Sequence, residues 1–554
     1  MAIADAVVVP LAEKIGIHKD LVKTVLCMFL SYPLSSVMKR LPDHTKFYKE
    51  VFSIGISLFY LVGIFDLWYG LFTILLSSGF TFIVSYKLRK SPLMPWINFL
   101  FVLLHLFTSH LSVQMKEDFD VNVIDVTYPQ MVLCMKLSAF GFNVYDGTLQ
   151  EENLSEFQKN RRIVDHPPLL DFLAYVFYFP ALMAGPSFDY MEFSRFLDLS
   201  MFDELSKVIK GKRKRVIPRS GDVAAWKLGE GIVWIALWIA LAPKFNPSDC
   251  LEAEFMNNPF VFRIVYIWWC GVVYRFKYYG AWSISEGACI LSGLGFNGIN
   301  SKGQLKWDRV RNIDIHDVEF GQNIHDLLEA WNMNTNKWLK YYVYLRLTPK
   351  GKKPGFRSTL ATFFTSAFWH GSRPGYYMTF ILGAFFQSIG RLYRKNLRPI
   401  FLEADGVTPG RYKWLYDIVS CVVTVLAVNC AAMPFILLDI KPSLKLWSTV
   451  YYWIHIGVVL NLFLFKGPFS KEFVKWLRSL HPTPLTAAQK VKLDAEKLRQ
   501  IKEELARLSS VQPTLGVPQP DIDKFDEDLH EALEELELLK QELVKDISML
   551  RRSD

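Results

Sequence analysis

The stretch DIVSCVVTVLAVNCAAMPFILL at residues 417–438 decides the fold class of this chain. It is almost wholly apolar, and roughly 20 such residues cross a bilayer as an α-helix. Further apolar runs reach or approach that length, at 51–61, 71–84, 95–104, 232–241 and 450–465. Several are too short to stand in lipid alone, so other helices or a cavity must cover them. The pattern predicts an all-α polytopic membrane protein with about eleven membrane helices.

The charges of the chain are concentrated in connecting loops. The 554 residues carry a formal net charge of +9, and basic residues cluster at 207–219 and 350–357. By the positive-inside rule these loops are cytosolic. The basic run 212–215 is also typical of nucleic-acid binding, but beside a membrane bundle we expect no nucleic-acid partner. Residues 1–22 lack the basic-then-apolar order of a cleavable signal peptide, so we expect insertion through internal spans.

The seven cysteines are scattered, mostly inside apolar runs, and no CxxC pair or His/Cys cluster occurs. We therefore expect neither a disulfide framework nor a metal site.

The C-terminal part of the chain differs in character from the rest. We expect residues 1–470 to form the membrane bundle and residues 471–554 a cytosolic tail. Leucines at helical spacing in 485–508 and 525–550 flank a proline-rich linker at 511–520. This pattern predicts a helical hairpin or a coiled coil, and in the second case the tail is an oligomer contact.

A first polar motif, RFKYYGAWSISE, occupies residues 275–286. On a helix, one stripe holds Arg275, Tyr278, Tyr279, Trp282 and Glu286. A charge at membrane depth costs at least roughly 2.5 kcal/mol, so a stripe with both signs cannot face lipid. It either lines a water-filled cavity or pairs internally. A plain Arg–Glu pair near a helix end, with aromatic residues at the membrane interface, is the structural alternative.

A second motif joins Glu319 to the segment WNMNTNKWL at residues 331–339. On one continuous helix Trp331 and Trp338 overlie each other, and Asn332 and Thr335 share the adjoining face. An asparagine amide is a good fixed donor for a developing oxyanion. Asparagine also caps helices, and spacing alone leaves both interpretations open.

A third motif, FWHGSRPGY, occupies residues 368–376. Glycine and proline break the helix there, and irregular backbone at membrane depth survives only where protein or a cavity covers it. We therefore expect His370 at the edge of an internal chamber, where its imidazole can take a proton near neutral pH. Composition alone leaves both a functional and a structural histidine open. For His105, His110 and His455 we expect packed or interfacial positions. GxSxG, P-loop and HExxH motifs are absent from the sequence.

These motifs resemble those of the membrane-bound O-acyltransferase family, and within it the fungal broad-specificity lysophospholipid branch. The matching elements are Trp369–His370–Gly371 followed by Pro374, Gly375, Tyr376 and Phe380, the segments 275–298 and 319–339, the pair Trp307–Asp308, and Gly185–Pro186. The motifs cover residues 275–380, and the tail lies outside the resemblance.

The resemblance implies transfer of an acyl chain from acyl-CoA to the free hydroxyl of a lysophospholipid in a chamber that crosses the bilayer. His370 would be the general base and Asn332 its partner. Acyl-CoA would be a co-substrate, with no further cofactor, and the enzyme would be a multi-pass protein of the endoplasmic reticulum. Substrate contacts are expected at Arg275, Lys277, Tyr278, Tyr279, Trp282, Glu286, Trp331, Thr335, Trp338 and Trp369.

Two alternatives remain open from the sequence. One is a member of the same family that acylates a sterol, diacylglycerol or a secreted protein, although the stripe from Arg275 to Glu286–Gly287 favours the lysophospholipid branch. A transporter would use broken helices and midplane charges, but such transporters are commonly built from internal repeats, and we find none in this sequence.

Overall fold

The computed structural model describes residues 4–117, 119–120, 123–203, 205, 216–300, 303–348, 355–483 and 499. The chain divides into one unit of Met1–Asn300 with Leu305–Pro482, and a second of Ser301–Gln304 with Thr483–Asp554. The second unit falls almost wholly outside the described residues. In the described part of the chain the secondary structure is helical, with two isolated β-bridges and no strand.

The first half of the chain contains the helices α1 (Asp5–Ile15), α2 (Lys19–Met38), α3 (Phe47–Leu58, continued by a π-turn at Phe59–Ile64), α4 (Trp68–Lys87), α5 (Met94–Gln114), α6 (Thr127–Asp146), α7 (Glu156–Lys159), α8 (Leu169–Val176), α9 (Tyr190–Leu197) and α10 (Gly221–Leu241).

The second half contains α11 (Phe260–Ser292), α12 (Ile315–Glu319), α13 (Ile324–Ala330), α14 (Met333–Trp338, continued by a π-turn at Leu339–Tyr344), α15 (Phe356–His370), α16 (Pro374–Asn396), α17 (Lys413–Leu437), α18 (Ile440–Thr449), α19 (Trp453–Lys466) and α20 (Ser470–Ser479).

The all-α polytopic class is confirmed, but the expected eleven spans are not. By length and composition, six of the described helices are able to cross a membrane: α2, α3 with its π-turn, α4, α5, α10 and α17. The pair α18 and α19, bent by 81°, raises the number to seven if it is one span. Other apolar runs belong to helices that are short, broken or interrupted by charge, so the number eleven stays a prediction.

Helix α6 is an example of a helix that is buried in protein and not in lipid. Seventeen of its 20 residues are buried, so neighbouring helices and not lipid surround it. Its two charged side chains, Lys136 and Asp146, have partners inside the protein. Lys136 donates to the carbonyl of Tyr175 and lies over the rings of Tyr175 and Phe188 at 4.3 and 4.5 Å. Near its end, Asp146 accepts from Arg346 at 2.9 Å. A helix held in this way does not need the hydropathy of a lipid-facing span.

Helices α10 and α11 pack with their backbones in close approach. A Cβ added at Gly231 would lie 2.4 Å from Cγ1 of Ile284 and 2.9 Å from the carbonyl oxygen of Gly280. A Cβ at Gly280 would in turn lie 3.0 Å from the carbonyl oxygen of Gly231. Small residues at facing positions are what membrane helices use to pack tightly, since lipid supplies no hydrophobic driving force.

Two sequence-based interpretations fall on residues outside the described part of the chain. Most of the basic loops at 207–219 and 350–357 belongs there, and so does the expected helical tail apart from its start. The cytosolic side of these loops and the hairpin or coiled coil at 485–550 stay predictions.

The glycine contact between α10 and α11 can be tested within one helix. We expect Gly231→Ala to lower the free energy of unfolding by about 1–3 kcal/mol, because the new methyl group overpacks the interface. Gly229, two residues away, has no atom within 4 Å of its added Cβ. We expect Gly229→Ala to be neutral or stabilising by up to about 1 kcal/mol through helix propensity. Thermal unfolding of both variants in the same detergent checks this, and equal effects would contradict it.

Candidate active site

The first motif lies on α11, which is continuous through residues 275–286. Arg275 makes a two-pronged ion pair with Glu319, with Nε–Oε1 at 2.9 Å and Nη2–Oε2 at 2.6 Å. Tyr279 donates its hydroxyl to the same Oε1, and Arg275 Nη1 donates to Oδ1 of Asn429 on α17. The guanidinium is thus engaged within the protein, where it joins α11 to α12 and α17. The substrate contact expected for Arg275 stays a prediction.

The two charges of the stripe do not pair with each other. Glu286 is buried and faces Lys227 of α10, with Nζ–Oε2 at 3.4 Å. Lys277 lies over the ring of Tyr274 at 3.9 Å. The stripe is expected either to line a water-filled cavity or to pair internally. The structure shows internal pairing for both Arg275 and Glu286.

The second motif differs from its expected geometry at Trp331 and Asn332. Trp331 has extended backbone after α13, and Asn332 has φ 43° and ψ 57° in the left-handed region. Helix α14 begins only at Met333, whose amide donates to the carbonyl of Asn312 at 2.7 Å. The prediction that Trp331 overlies Trp338, and that Asn332 shares a helix face with Thr335, is wrong. Asparagine adopts left-handed backbone more readily than most residues, so the chain turns there.

Because the chain turns at Asn332, the indoles of Trp331 and Trp338 contact different residues. Trp331 contacts the rings of Trp282 and Tyr278, at centroid distances of 5.0 and 5.7 Å, and that of Tyr279 at 6.2 Å. It therefore belongs with the aromatic residues of the α11 stripe. The ring of Trp338 instead lies 6.2 Å from that of Trp369, in the third motif.

One face of α6 supports the second and third motifs together. Trp338 Nε1 donates to Oγ of Ser138 at 2.8 Å, and Thr335 Oγ1 donates to Sδ of Met135 at 3.2 Å. Trp369 Nε1 donates to the carbonyl of Met131 at 2.9 Å. Residues 131, 135 and 138 share one helix face, so the two tryptophan motifs lie side by side.

The third motif is a helix break, as predicted. Helix α15 ends at His370, Gly371 follows with φ 129°, and α16 begins at Pro374. A Cβ at Gly375 would lie 2.0 Å from the carbonyl oxygen of Pro434, so the start of α16 passes directly against the end of α17. A residue with a side chain does not fit at that contact.

Two buried residues of α5 hold this break, and only one of them was considered from sequence. Nε2 of His110 lies 3.1 Å from the carbonyl oxygen of Trp369, so His110 is a packed histidine, as expected. Gln114 accepts from the amide and the hydroxyl of Ser372 at 2.8 and 2.9 Å. The signal for Gln114 was its place four residues after His110, on the same face of an apolar helix.

The imidazole of His370 lies among aromatic rings. Its centroid is 4.8 Å from that of Phe435, 5.3 Å from Phe380 and 5.6 Å from Tyr376. Among the residues that the structure describes, none makes a hydrogen bond to the imidazole, and the same holds for the side-chain amide of Asn332. Both residues are half-buried. Their polar atoms remain available to a bound molecule.

Aromatic side chains lie beside both His370 and the neighbour of Asn332. Tyr376 packs beside His370, and Tyr278 contacts Trp331, which precedes Asn332. Elsewhere in the described residues, no three His, Cys, Asp or Glu side chains come together in a way that holds a metal ion. The chamber expected between His370 and Asn332 stays a prediction.

The Arg275–Glu319 pair can be tested against an exposed pair. We expect Glu319→Gln to lower the free energy of unfolding by about 2–3 kcal/mol, since it leaves a largely buried guanidinium without its countercharge. The matched control is Glu329→Gln, which breaks the Glu329–Lys340 pair, where both side chains are 48% exposed. Exposed pairs contribute about 0–1 kcal/mol. Thermal unfolding in detergent separates the two, and a larger effect for Glu329→Gln would contradict the assignment.

The comparisons with known proteins bear on the whole of this site. Residues 118–433 match the model of the membrane-bound O-acyltransferase family, which is more than half of the chain. A lysophospholipid acyltransferase of Saccharomyces cerevisiae is 43% identical over 94% of this chain and 88% of its own length. A lysophospholipid acyltransferase of Schizosaccharomyces pombe is 42% identical over 84% of this chain and 90% of its own. Human membrane-bound glycerophospholipid O-acyltransferase 2 is 27% identical over 82% and 86%. The chain belongs to the membrane-bound O-acyltransferase family.

Proposed function

We propose that this enzyme transfers an acyl chain from acyl-CoA to the free hydroxyl of a lysophospholipid. Two relatives more than 40% identical over most of the chain bear the name lysophospholipid acyltransferase. The observation that carries the proposal is the state of His370 at the break between α15 and α16. Its imidazole has aromatic neighbours and no hydrogen-bond partner among the described residues. A base in that state is available to a substrate hydroxyl.

In the proposed reaction His370 takes the proton of the lysophospholipid hydroxyl as its oxygen attacks the thioester carbonyl. The carbon–oxygen bond forms, the carbon–sulfur bond breaks, and the imidazolium returns the proton to the departing CoA thiolate. A positioned general base of this kind contributes roughly 10²–10⁴-fold. Its ring nitrogens must be placed firmly, and His110 and Gln114 serve this by fixing the backbone on either side of His370.

Asn332 has a geometry suited to a fixed donor. The turn is tied down by Asn312, which accepts from the amide of Met333 through its carbonyl and from Asn334 through its side chain. The Asn332 side chain is left free by this arrangement. It would donate an N–H to the oxyanion that develops on the thioester carbonyl, or hold the acceptor hydroxyl.

The remaining site residues fall into three groups in this proposal. Tyr278, Trp282, Trp331, Trp338 and Trp369 would form an apolar wall along the acyl chain, next to Thr335. Arg275 and Tyr279, held by Glu319, would fix that wall, and Lys277 and Glu286 would lie nearer to polar parts of the substrates. Acyl-CoA would arrive from the cytosol and the lysophospholipid from the bilayer, in the endoplasmic reticulum. We also propose that the tail at 471–554 is a contact through which copies of the chain form an oligomer.

The acceptor class is tested by supplying acyl-CoA to the purified enzyme with one acceptor at a time. We expect release of free CoA thiol with lysophospholipids. Release with a sterol, diacylglycerol or a peptide alone would overturn the substrate assignment and leave the family unchanged.

We expect His370→Ala to reduce acyl transfer at least about 100-fold, the loss of a general base, with the protein still folded and inserted. His370→Gln, which keeps the size of the side chain, fails equally. The measurement is CoA release per mole of monodisperse protein.

The matched control for His370 is His455→Ala. His455 is another histidine in an apolar setting, and its ring packs against Trp447 at 4.3 Å. We expect turnover within about threefold of the wild type, since it has no place in the proposed chemistry. Turnover of His370→Ala in the same range as this control would contradict the assignment of the base.

For Asn332 the informative substitutions keep the left-handed backbone. Glycine and aspartate both tolerate a φ of 43°, and neither has the side-chain N–H of asparagine. Asn332→Gly and Asn332→Asp therefore remove the donor and keep the backbone. We expect kcat to fall roughly 10²–10³-fold in each, with little change in acyl-CoA KM. A large rise in the lysophospholipid KM with kcat intact would instead make Asn332 an acceptor-positioning residue.

A further inference from the structure

The last helix of the larger unit follows directly on a membrane segment. Helix α20 begins at Ser470, only residues 467–469 after the end of α19 at Lys466. Helix α19 belongs to the bent pair that makes a seventh candidate span if the pair is one span. Helix α20 therefore starts where the chain reaches the edge of that span.

Helix α20 has two unlike sides. Phe473 faces inward, with its ring centroid 5.2 Å from that of Phe465, and Leu477 is buried. Three exposed cations share another side because they lie three to four residues apart: Lys471, Lys475 and Arg478. An amphipathic helix with one apolar and one basic side is typical of a helix that lies in the membrane interface.

A groove of about 430 Å³ runs between α19 and α20. It is lined by Phe465, Ser470, Lys471, Val474, Lys475 and Arg478. Within the described part of the chain, none of the three cations forms an ion pair with a carboxylate. Positive charge next to an apolar floor is the chemistry that recognises an anionic amphiphile.

The walls of the groove are fixed by contacts with α16. Nε2 of His481, just past α20, lies 2.8 Å from the carbonyl oxygen of Asn396. The ring of Phe465 packs against that of Tyr393 at 5.9 Å. The groove thus exists before any ligand binds, which lowers the ordering cost of binding.

We propose that this groove binds an anionic glycerophospholipid of the surrounding leaflet. The phosphate and its headgroup lie among Lys471, Lys475 and Arg478, and the start of an acyl chain lies along Phe465 and Val474. Trp476, 56% exposed, and Phe469, 68% exposed, flank the site. Exposed aromatic rings beside cations are what anchors a segment at the level of lipid headgroups.

Two other occupants share part of this chemistry. Inorganic phosphate would use the cations but not the apolar floor. The chain's own segment 521–548, rich in Asp and Glu, would also be attracted by the cations. A diacyl lipid uses both the cations and the floor, and the groove lies next to a candidate membrane span.

The test is a lipid titration of the full chain in detergent, followed by native mass spectrometry. The probes are short-chain phosphatidylserine and, for comparison, phosphatidylcholine of the same chain length. The charge variant carries Lys471→Gln, Lys475→Gln and Arg478→Gln. Its matched control removes three exposed cations elsewhere, with Arg411→Gln, Lys441→Gln and Lys445→Gln. We expect phosphatidylserine affinity to fall at least about tenfold in the first variant and at most about twofold in the control.

A shape variant keeps every charge. Val474→Trp fills the groove, and we expect it to lose phosphatidylserine to a similar extent as the charge variant. If Val474→Trp still binds phosphatidylserine, or if both charge variants lose it equally, the lipid is attracted by net charge alone. Either result would contradict the proposed groove. Loss of bound phosphatidylserine when inorganic phosphate is added at equal concentration would show that the groove binds phosphate and not a lipid. Absence of phosphatidylserine binding by the full chain would also overturn the proposal, and it is the result expected if the chain's own acidic segment fills the groove.

Discussion

The architecture of the site depends on one buried helix. Helix α6 presents three acceptors along one face. The carbonyl of Met131 accepts from Trp369, the sulfur of Met135 from Thr335 and the hydroxyl of Ser138 from Trp338. Buried donors without partners are expensive, so these bonds fix where Trp369, Thr335 and Trp338 lie. That face supports both the segment with Asn332 and the segment with His370.

The ion pair between Arg275 and Glu319 has the same role on the other side of the site. It joins α11 to the short helix α12, while Asn429 brings in α17. Charges at this depth are tolerated because each finds a partner, and removing one partner is therefore more costly than the net contribution of the pair. The aromatic residues between them then pack around Trp331 in one arrangement.

Much of this was readable in the sequence, because its strongest signals are local. Helical spacing placed Arg275 and Glu286 on one helix, and glycine with proline marked the break after His370. The turn at Asn332 was missed because periodicity assumes one continuous helix, whereas a single residue in left-handed backbone redirects all that follows. Gln114 was missed because its partners lie about 260 positions away. The number of spans is not confirmed, because hydropathy does not distinguish burial in lipid from burial in protein, as α6 illustrates.

Helix α16 has a consequence for the geometry of the whole enzyme. It begins at Pro374, beside the break at His370, and ends at Asn396, which holds the region after α20. At 1.5 Å per residue its 23 residues extend roughly 34 Å, close to the thickness of a bilayer's hydrocarbon core. A single helix thus sets the distance between the break at His370 and the segment that follows α20. That spacing is a property of the polypeptide itself.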